Sequence, residues 1–173
     1  MLVAITGTPG VGKSSVAEKL KEKGYKVEKL LNLALKHNCV IGEENGELVV
    51  DVEKLSEIRF DGIVEGHLSH FLKADKVVVL RCDPLVLKDR LIKRGWSFEK
   101  VMDNVEAELL DLILVEALEK NSEVYEIDVT NMDVEEVANV IEEIIKGKGE
   151  KFKPGKIDWL SKFADRIEEV ARL

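Results

Sequence analysis

A glycine-rich loop near the start of the chain constrains its fold more than any other feature. Residues 7 to 14 read Gly-Thr-Pro-Gly-Val-Gly-Lys-Ser, directly after the apolar run Leu2-Val3-Ala4-Ile5. Glycine, four residues and then Gly-Lys-Ser is the phosphate-binding loop pattern, set between a strand and a helix. Gly7, Gly10 and Gly12 let the backbone turn tightly and bring its N–H groups close to a phosphate chain. The helix that follows adds unsatisfied N–H donors and a partial positive charge at its N-terminus. Lys13 is placed to reach the β- and γ-phosphates, and the Ser14 hydroxyl suits Mg²⁺. The motif predicts a site for a nucleoside triphosphate.

The chain is long enough, at 173 residues, for one well-buried α/β domain and too short for two comfortable ones. Acidic residues outnumber basic ones, 34 to 26, for a net charge of −8. That balance argues against nonspecific wrapping of nucleic acid by the whole surface and leaves room for a local basic face. The two cysteines, Cys39 and Cys82, fit no metal or redox spacing and are expected as buried, reduced thiols in a cytoplasmic protein. The sequence opens on a core strand, so no signal peptide is expected, and no apolar segment approaches membrane-spanning length. Glu and Lys dominate a chain with no glutamine, a bias expected of heat-adapted proteins.

Five segments read as short buried strands: Leu2–Thr6, Tyr25–Lys29, Gly62–Glu65, Lys76–Arg81 and Glu123–Asp128. Helical patterns separate them, as a parallel sheet with crossover helices requires. The spacing predicts helices over Lys13–Lys23, stopped by Gly24, and from Pro84 to Arg94, with Gly95 beyond. One long helix is expected from Phe98 to Lys120, capped by Ser97, with a core stripe of Phe98, Val101, Met102, Val105, Leu109, Leu112 and Ile113. Another follows Asp133, with Val134, Val137, Ala138, Ile141 and Ile145 on one face. Leu30 to Arg59 is too long for a simple crossover and reads as a small helical insertion with a turn at Gly42–Gly46. A basic linker, Lys146–Lys156, precedes a terminal amphipathic helix carrying Ile157, Leu160, Phe163, Ile167 and Val170. The expected division is a domain over residues 1–146 and a linker with its helix over 147–173.

Ligands of parallel sheets sit beyond the carboxyl ends of the strands, which directs Glu65 and His67 toward the loop. Glu65 suits a magnesium ion, directly or through water. His67 is placed to orient or deprotonate a water or hydroxyl. His70 and His37 lack such support. Arg90 and Arg94, at i and i+4, share a helix face and suit clamping of a moving phosphoryl group. No Asn-Lys-x-Asp or Thr-Lys-x-Asp element follows, which argues against a switch GTPase and leaves small-molecule and nucleotide kinases.

The loop Gly7–Ser15, the strand end with Glu65-Gly66-His67, Val79-Leu80-Arg81, Arg90-Leu-Ile-Lys-Arg-Gly-Trp96 and Asp103-Asn-Val-Glu-Ala-Glu-Leu-Leu110 together resemble the adenylate kinase isoenzyme 6 family, also called coilin-interacting nuclear ATPase. The similarity covers residues 1 to about 145 in order. It implies a three-layer phosphate-loop fold with a five-stranded parallel sheet, of the nucleoside monophosphate kinase type with a short lid, here 94–104. It also implies adenylate kinase and ATPase activity on ATP, AMP and Mg²⁺. A role in small ribosomal subunit assembly is implied too, through a ribosomal protein of the platform, with indirect rRNA contact and no membrane. By the same resemblance Gly10, Val11, Gly12, Lys13, Ser14 and Ser15 bind ATP and Ser14 and Glu65 the metal. Arg94 belongs to the lid, with Arg90 near the base or phosphates, and Lys13, Glu65, His67, Arg90 and Arg94 form the catalytic set. Residues 30–52 form the monophosphate-binding arm. The chain has Glu65 where the family usually has Asp in Asp-x-His, and Lys36 where the family tends to have arginine after Leu-Ala.

Overall fold

A computed structural model describes residues 1–173. The central sheet is built from β1 (Leu2–Gly7), β2 (Val27–Lys29), β5 (Gly62–Glu65), β6 (Lys76–Arg81) and β7 (Val124–Asp128), in the order β2-β5-β1-β6-β7. All neighbouring pairs are parallel. Side chains alternate across the sheet as the pleat demands. Val3 and Ile5 of β1, with Val78 and Leu80 of β6, join the larger core, whereas Ala4, Val77 and Val79 face the opposite layer. Strands buried on both faces read as continuous apolar runs, which is why β5 and β6 fall on the expected residues.

On the larger-core face lie α1 (Lys13–Glu22), α4 (Pro84–Lys93), α5 (Phe98–Leu109) and α7 (Val134–Ile145). On the other lie α2 (Leu30–Lys36), α3 (Val52–Ser56) and α6 (Leu112–Lys120). The result is a three-layer α/β architecture, as the sequence led us to expect. No helix is long and apolar enough to cross a membrane.

Three elements differ from expectation. The insertion is not wholly helical: between α2 and α3 it forms an antiparallel hairpin of β3 (Val40–Glu44) and β4 (Glu47–Val50). Asn45 and Gly46 turn it with positive φ of 50° and 79°, the geometry that makes Asn-Gly the favoured two-residue hairpin turn.

The helix expected over Phe98–Lys120 is two helices. Asp111, at φ 57°, breaks it because its carboxylate is drawn to the buried Arg81 guanidinium. Phe98 and Leu112, assigned to the core stripe, are exposed. The terminal segment is also broken: α8 (Trp159–Phe163) gives way to a 3₁₀ stretch, Ala164–Glu169, kinked at Arg166. Trp159, Phe163 and Val170 nonetheless enter the main core, while Leu160 is exposed. Cys39 and Cys82 are buried free thiols.

Candidate active site

The sheet order reverses beside β1, because the chain builds β2 and β5 on one side and β6 and β7 on the other. Such a switch point opens a crevice at the carboxyl ends of the strands. Gly7 ends β1 and Glu65 ends β5, so loop and acid meet there. The loop turns at Gly10, with φ 95°, where an added Cβ would lie 2.9 Å from Leu91 Cδ2 of α4. From the same helix Arg90 Nη1 donates to the Gly10 carbonyl at 3.2 Å. Helix α4 thus backs the loop by contact and by hydrogen bond. Helix α1 begins after Gly12 with no side-chain cap, so its first N–H groups face the crevice as an anion site.

A cleft of about 270 Å³ is lined by Pro9, Gly10, Gly12, Lys13, Ser14, Ser15, Glu65, Gly66, His67 and Arg94. Lys13 Nζ donates to the carbonyls of Gly7 at 2.6 Å and Thr8 at 3.0 Å. Burial pushes its pKa down to about 8, against the pull of Glu65, with Arg94 adding to the depression. Ser14 Oγ donates to Glu65 Oε1 at 3.3 Å. Desolvation, with the positive charge of Lys13, holds His67 below its ordinary value, opposed by Glu47. The imidazole is therefore neutral near pH 7 and able to accept a proton. The Arg94 guanidinium lies 5.9 Å from the Trp96 ring centre.

Most of the expected residues therefore gather around one cleft, with two exceptions. Arg90 sits behind the loop on the Gly10 carbonyl and is not among the cleft-lining residues. Val11 is buried, its N–H bonded to the Thr8 carbonyl at 3.3 Å.

A second cavity of about 410 Å³ lies against the first, beneath α2 and the hairpin. Half its lining is apolar, including Leu30, Leu31, Ala34, Leu48 and Val50, and it shares Glu65, Gly66 and His67 with the loop cleft. Lys36 does not line it; Lys29 does. Packing turns Lys36 outward at the end of α2, whereas Lys29 stands at the junction of β2 and α2, next to Glu65 in the sheet register. The hairpin meets the loop side through Lys100 Nζ, 2.6 Å from Glu47 and 3.9 Å from the Trp96 ring centre. Of the unsupported histidines, His70 is a buried structural group, its ring nitrogens 2.9 Å from Thr6 Oγ1 and from Glu116.

The sequence reading missed a buried charge cluster beneath the loop. Arg81 bonds Glu108, Glu126 and Asp111, and Glu108 accepts from Thr8 Oγ1 of the loop at 2.9 Å. Two signals pointed to it: an arginine closing the apolar strand Lys76–Arg81, and Glu108 falling seven residues after Val101 on the buried face of α5.

A switch-point crevice, a phosphate loop and an adjoining armed cavity define a phosphate-loop kinase fold. Solved structures share that fold: the YorR protein from Bacillus subtilis, crystallised with phosphorylated GDP, is 20% identical with TM-score 0.60, covering 84% of this chain and 96% of that one. Shikimate kinase from Bacteroides thetaiotaomicron is 17% identical with TM-score 0.52, covering 84% and 98%. A family model described as an AAA domain matches residues 3–111. A protein of Archaeoglobus fulgidus named "Putative adenylate kinase" is 61% identical over 99% of both chains. Its namesakes in Thermococcus gammatolerans and Methanocaldococcus jannaschii are 50% and 41% identical, over 100% and 96% of this chain and 100% and 97% of their own. The chain belongs to this archaeal family and carries its AAA domain.

Proposed function

We propose that this chain is a nucleotide kinase that transfers the terminal phosphoryl group of ATP to AMP, with slow ATP hydrolysis as a second activity. The observation that carries the reading is the pair of adjoining cavities with one shared wall, Glu65-Gly66-His67. A triphosphate lying along the loop and a nucleoside monophosphate under the arm meet at that wall. The family name and the likeness to the isoenzyme 6 family support adenosine on both sides.

The N–H groups of the loop and of the first turn of α1 hold the phosphates, and Lys13 leaves the carbonyls of Gly7 and Thr8 for them. Arg94 offers a guanidinium to the charge that spreads over the moving group. The Ser14 hydroxyl and Glu65 carboxylate, 3.3 Å apart, are hard oxygen donors that fit Mg²⁺. An ion held by these two oxygens is completed by substrate oxygens and water. When bound, Mg²⁺ supplies charge neutralisation between the phosphates. Neutral His67 accepts a proton from water in the hydrolytic reaction. Measuring ADP formed from ATP alone and from ATP with each monophosphate tests the reading; a rate unchanged by every monophosphate overturns the kinase.

A second reading is an assembly factor of the small ribosomal subunit, acting in the cytoplasm through a platform protein and indirect rRNA contact. The exposed Lys146, Lys148, Lys151 and Lys156 support it. Reversing these four charges is expected to weaken ATP-dependent binding to small-subunit particles while leaving ADP formation intact; equal binding removes this reading.

A further inference from the structure

Glu108 is the meeting point of four segments of the chain. It is 3% exposed, and both carboxylate oxygens are engaged. Oε2 accepts from Thr8 Oγ1 at 2.9 Å; Oε1 accepts from Arg81 Nε at 2.8 Å, Cys82 N at 3.2 Å and the Trp159 indole Nε1 at 3.0 Å. Around it, one guanidinium faces three carboxylates, Glu108, Glu126 and Asp111. The excess negative charge is met by neutral donors, because a buried charge needs hydrogen bonds wherever it lacks a counter-charge. The C-terminal segment provides three: Trp159 Nε1 to Glu108, and the N–H groups of Gly155 and Lys156 to Glu126 at 2.9 and 3.2 Å.

The loop hangs on the same carboxylate. Thr8 donates its hydroxyl to Glu108, while its carbonyl accepts from Lys13 Nζ. A continuous line of bonds therefore runs from the indole through Glu108 and Thr8 to the phosphate-binding lysine. The segment is strapped onto the helices that flank the Arg94 turn as well. Lys162 pairs with Asp83 at the start of α4, Lys88 reaches the Glu169 carbonyl at 2.7 Å, and Arg172 bonds Asp103 and Glu106 of α5.

We propose that Trp159 is a positioning residue for nucleotide binding, acting through Glu108 on Thr8 and so making the C-terminal segment a working part of the phosphate site. The inference rests on the nucleotide-binding part of the reading above and needs no kinase activity. Removing one donor from a carboxylate that orients three others loosens the rest, since such networks polarise and hold one another. Trp159 touches no substrate; its effect falls on the conformation of the loop.

The test is calorimetric titration with MgATP, without acceptor, of the full chain, three single variants and one double variant. Trp159→Phe keeps an aromatic ring in the core and removes the indole N–H. Thr8→Val keeps the shape of threonine and removes the hydroxyl, without touching the C-terminal segment. Either change is expected to raise the Kd by about three- to tenfold, the net scale of one lost hydrogen bond. Thr8→Ser, which keeps the donor, restores wild-type affinity. The double variant is expected to be no weaker than the worse single one, because both act on one carboxylate. Unchanged Kd values with only a lowered melting temperature overturn the proposal, as do effects that multiply in the double variant. Failure of the unsubstituted chain to bind MgATP is a separate result, and it overturns the nucleotide reading itself.

Discussion

Lys13 is the side chain on which most at this site depends. Its amine is charged below a pKa of about 8 and loses its proton above. A polyphosphate favours the charged form, so affinity for MgATP is expected to hold steady below that pH and to weaken as pH rises through it. Binding just above pH 8 should take up a proton, visible as a calorimetric heat that depends on the ionisation enthalpy of the buffer. Lys13→Ala should lower both phosphoryl transfer and hydrolysis by about 10²–10³-fold, the scale for removing one cation or donor aimed at transition-state charge. His67→Gly should separate the two reactions. Hydrolysis, which needs a proton acceptor for water, is expected to fall by about 10²-fold or more, and AMP phosphorylation by far less. Parallel rates of ADP formation with and without AMP measure the difference. Glu65 and His67 were legible because a strand end in a parallel sheet has a known direction. Lys29 was not, because its place at the second cavity depends on how α2 packs beneath the hairpin.

At the scale of elements, the hairpin β3–β4 is where function and local conformation meet. Its turn holds Gly46 at φ 79°, and Gly46, Glu47 and Leu48 line the second cavity. Gly46→Val places a β-branched residue in left-handed backbone at a cost of about 1–3 kcal/mol. The arm should shift while the loop stays intact, so the KM for AMP is expected to rise roughly tenfold with the Kd for MgATP nearly unchanged, as steady-state kinetics and calorimetry would show. The Asn-Gly pair marks a turn in the sequence, yet the residues on either side carry no strand signal. Ile41, Glu43, Glu44, Glu47 and Leu48 are all exposed, so the two-residue alternation that marks a half-buried strand is missing. The break between α5 and α6 was hidden for another reason. The apolar stripe runs on past it, and the residue that causes the break, Arg81, lies 30 positions away in sequence from Asp111. The buried strands were readable because burial on both faces leaves nothing but apolar residues to see.

At the scale of the molecule, the C-terminal segment belongs to the core. A chain ended at Gly147 loses Trp159, Phe163 and Val170 from the main cluster. Burial of each such side chain is worth about 1.5–3 kcal/mol, and the total stability of a domain is about 5–15 kcal/mol. Thermal unfolding of that truncation should show a melting temperature far below that of the full chain, or no cooperative transition. The sheet order carries a consequence for synthesis. Strand β1 is the centre of the sheet, yet its partners are Gly62–Glu65 on one side and Lys76–Leu80 on the other. The phosphate loop is made early and waits without its neighbouring strands until residue 80 has followed. Its threonine then gains the Glu108 carboxylate, and that carboxylate gains its last donor only when Trp159 is made. A nascent chain should therefore reach its full affinity for nucleotide late, only once Trp159 has joined the carboxylate that holds the loop.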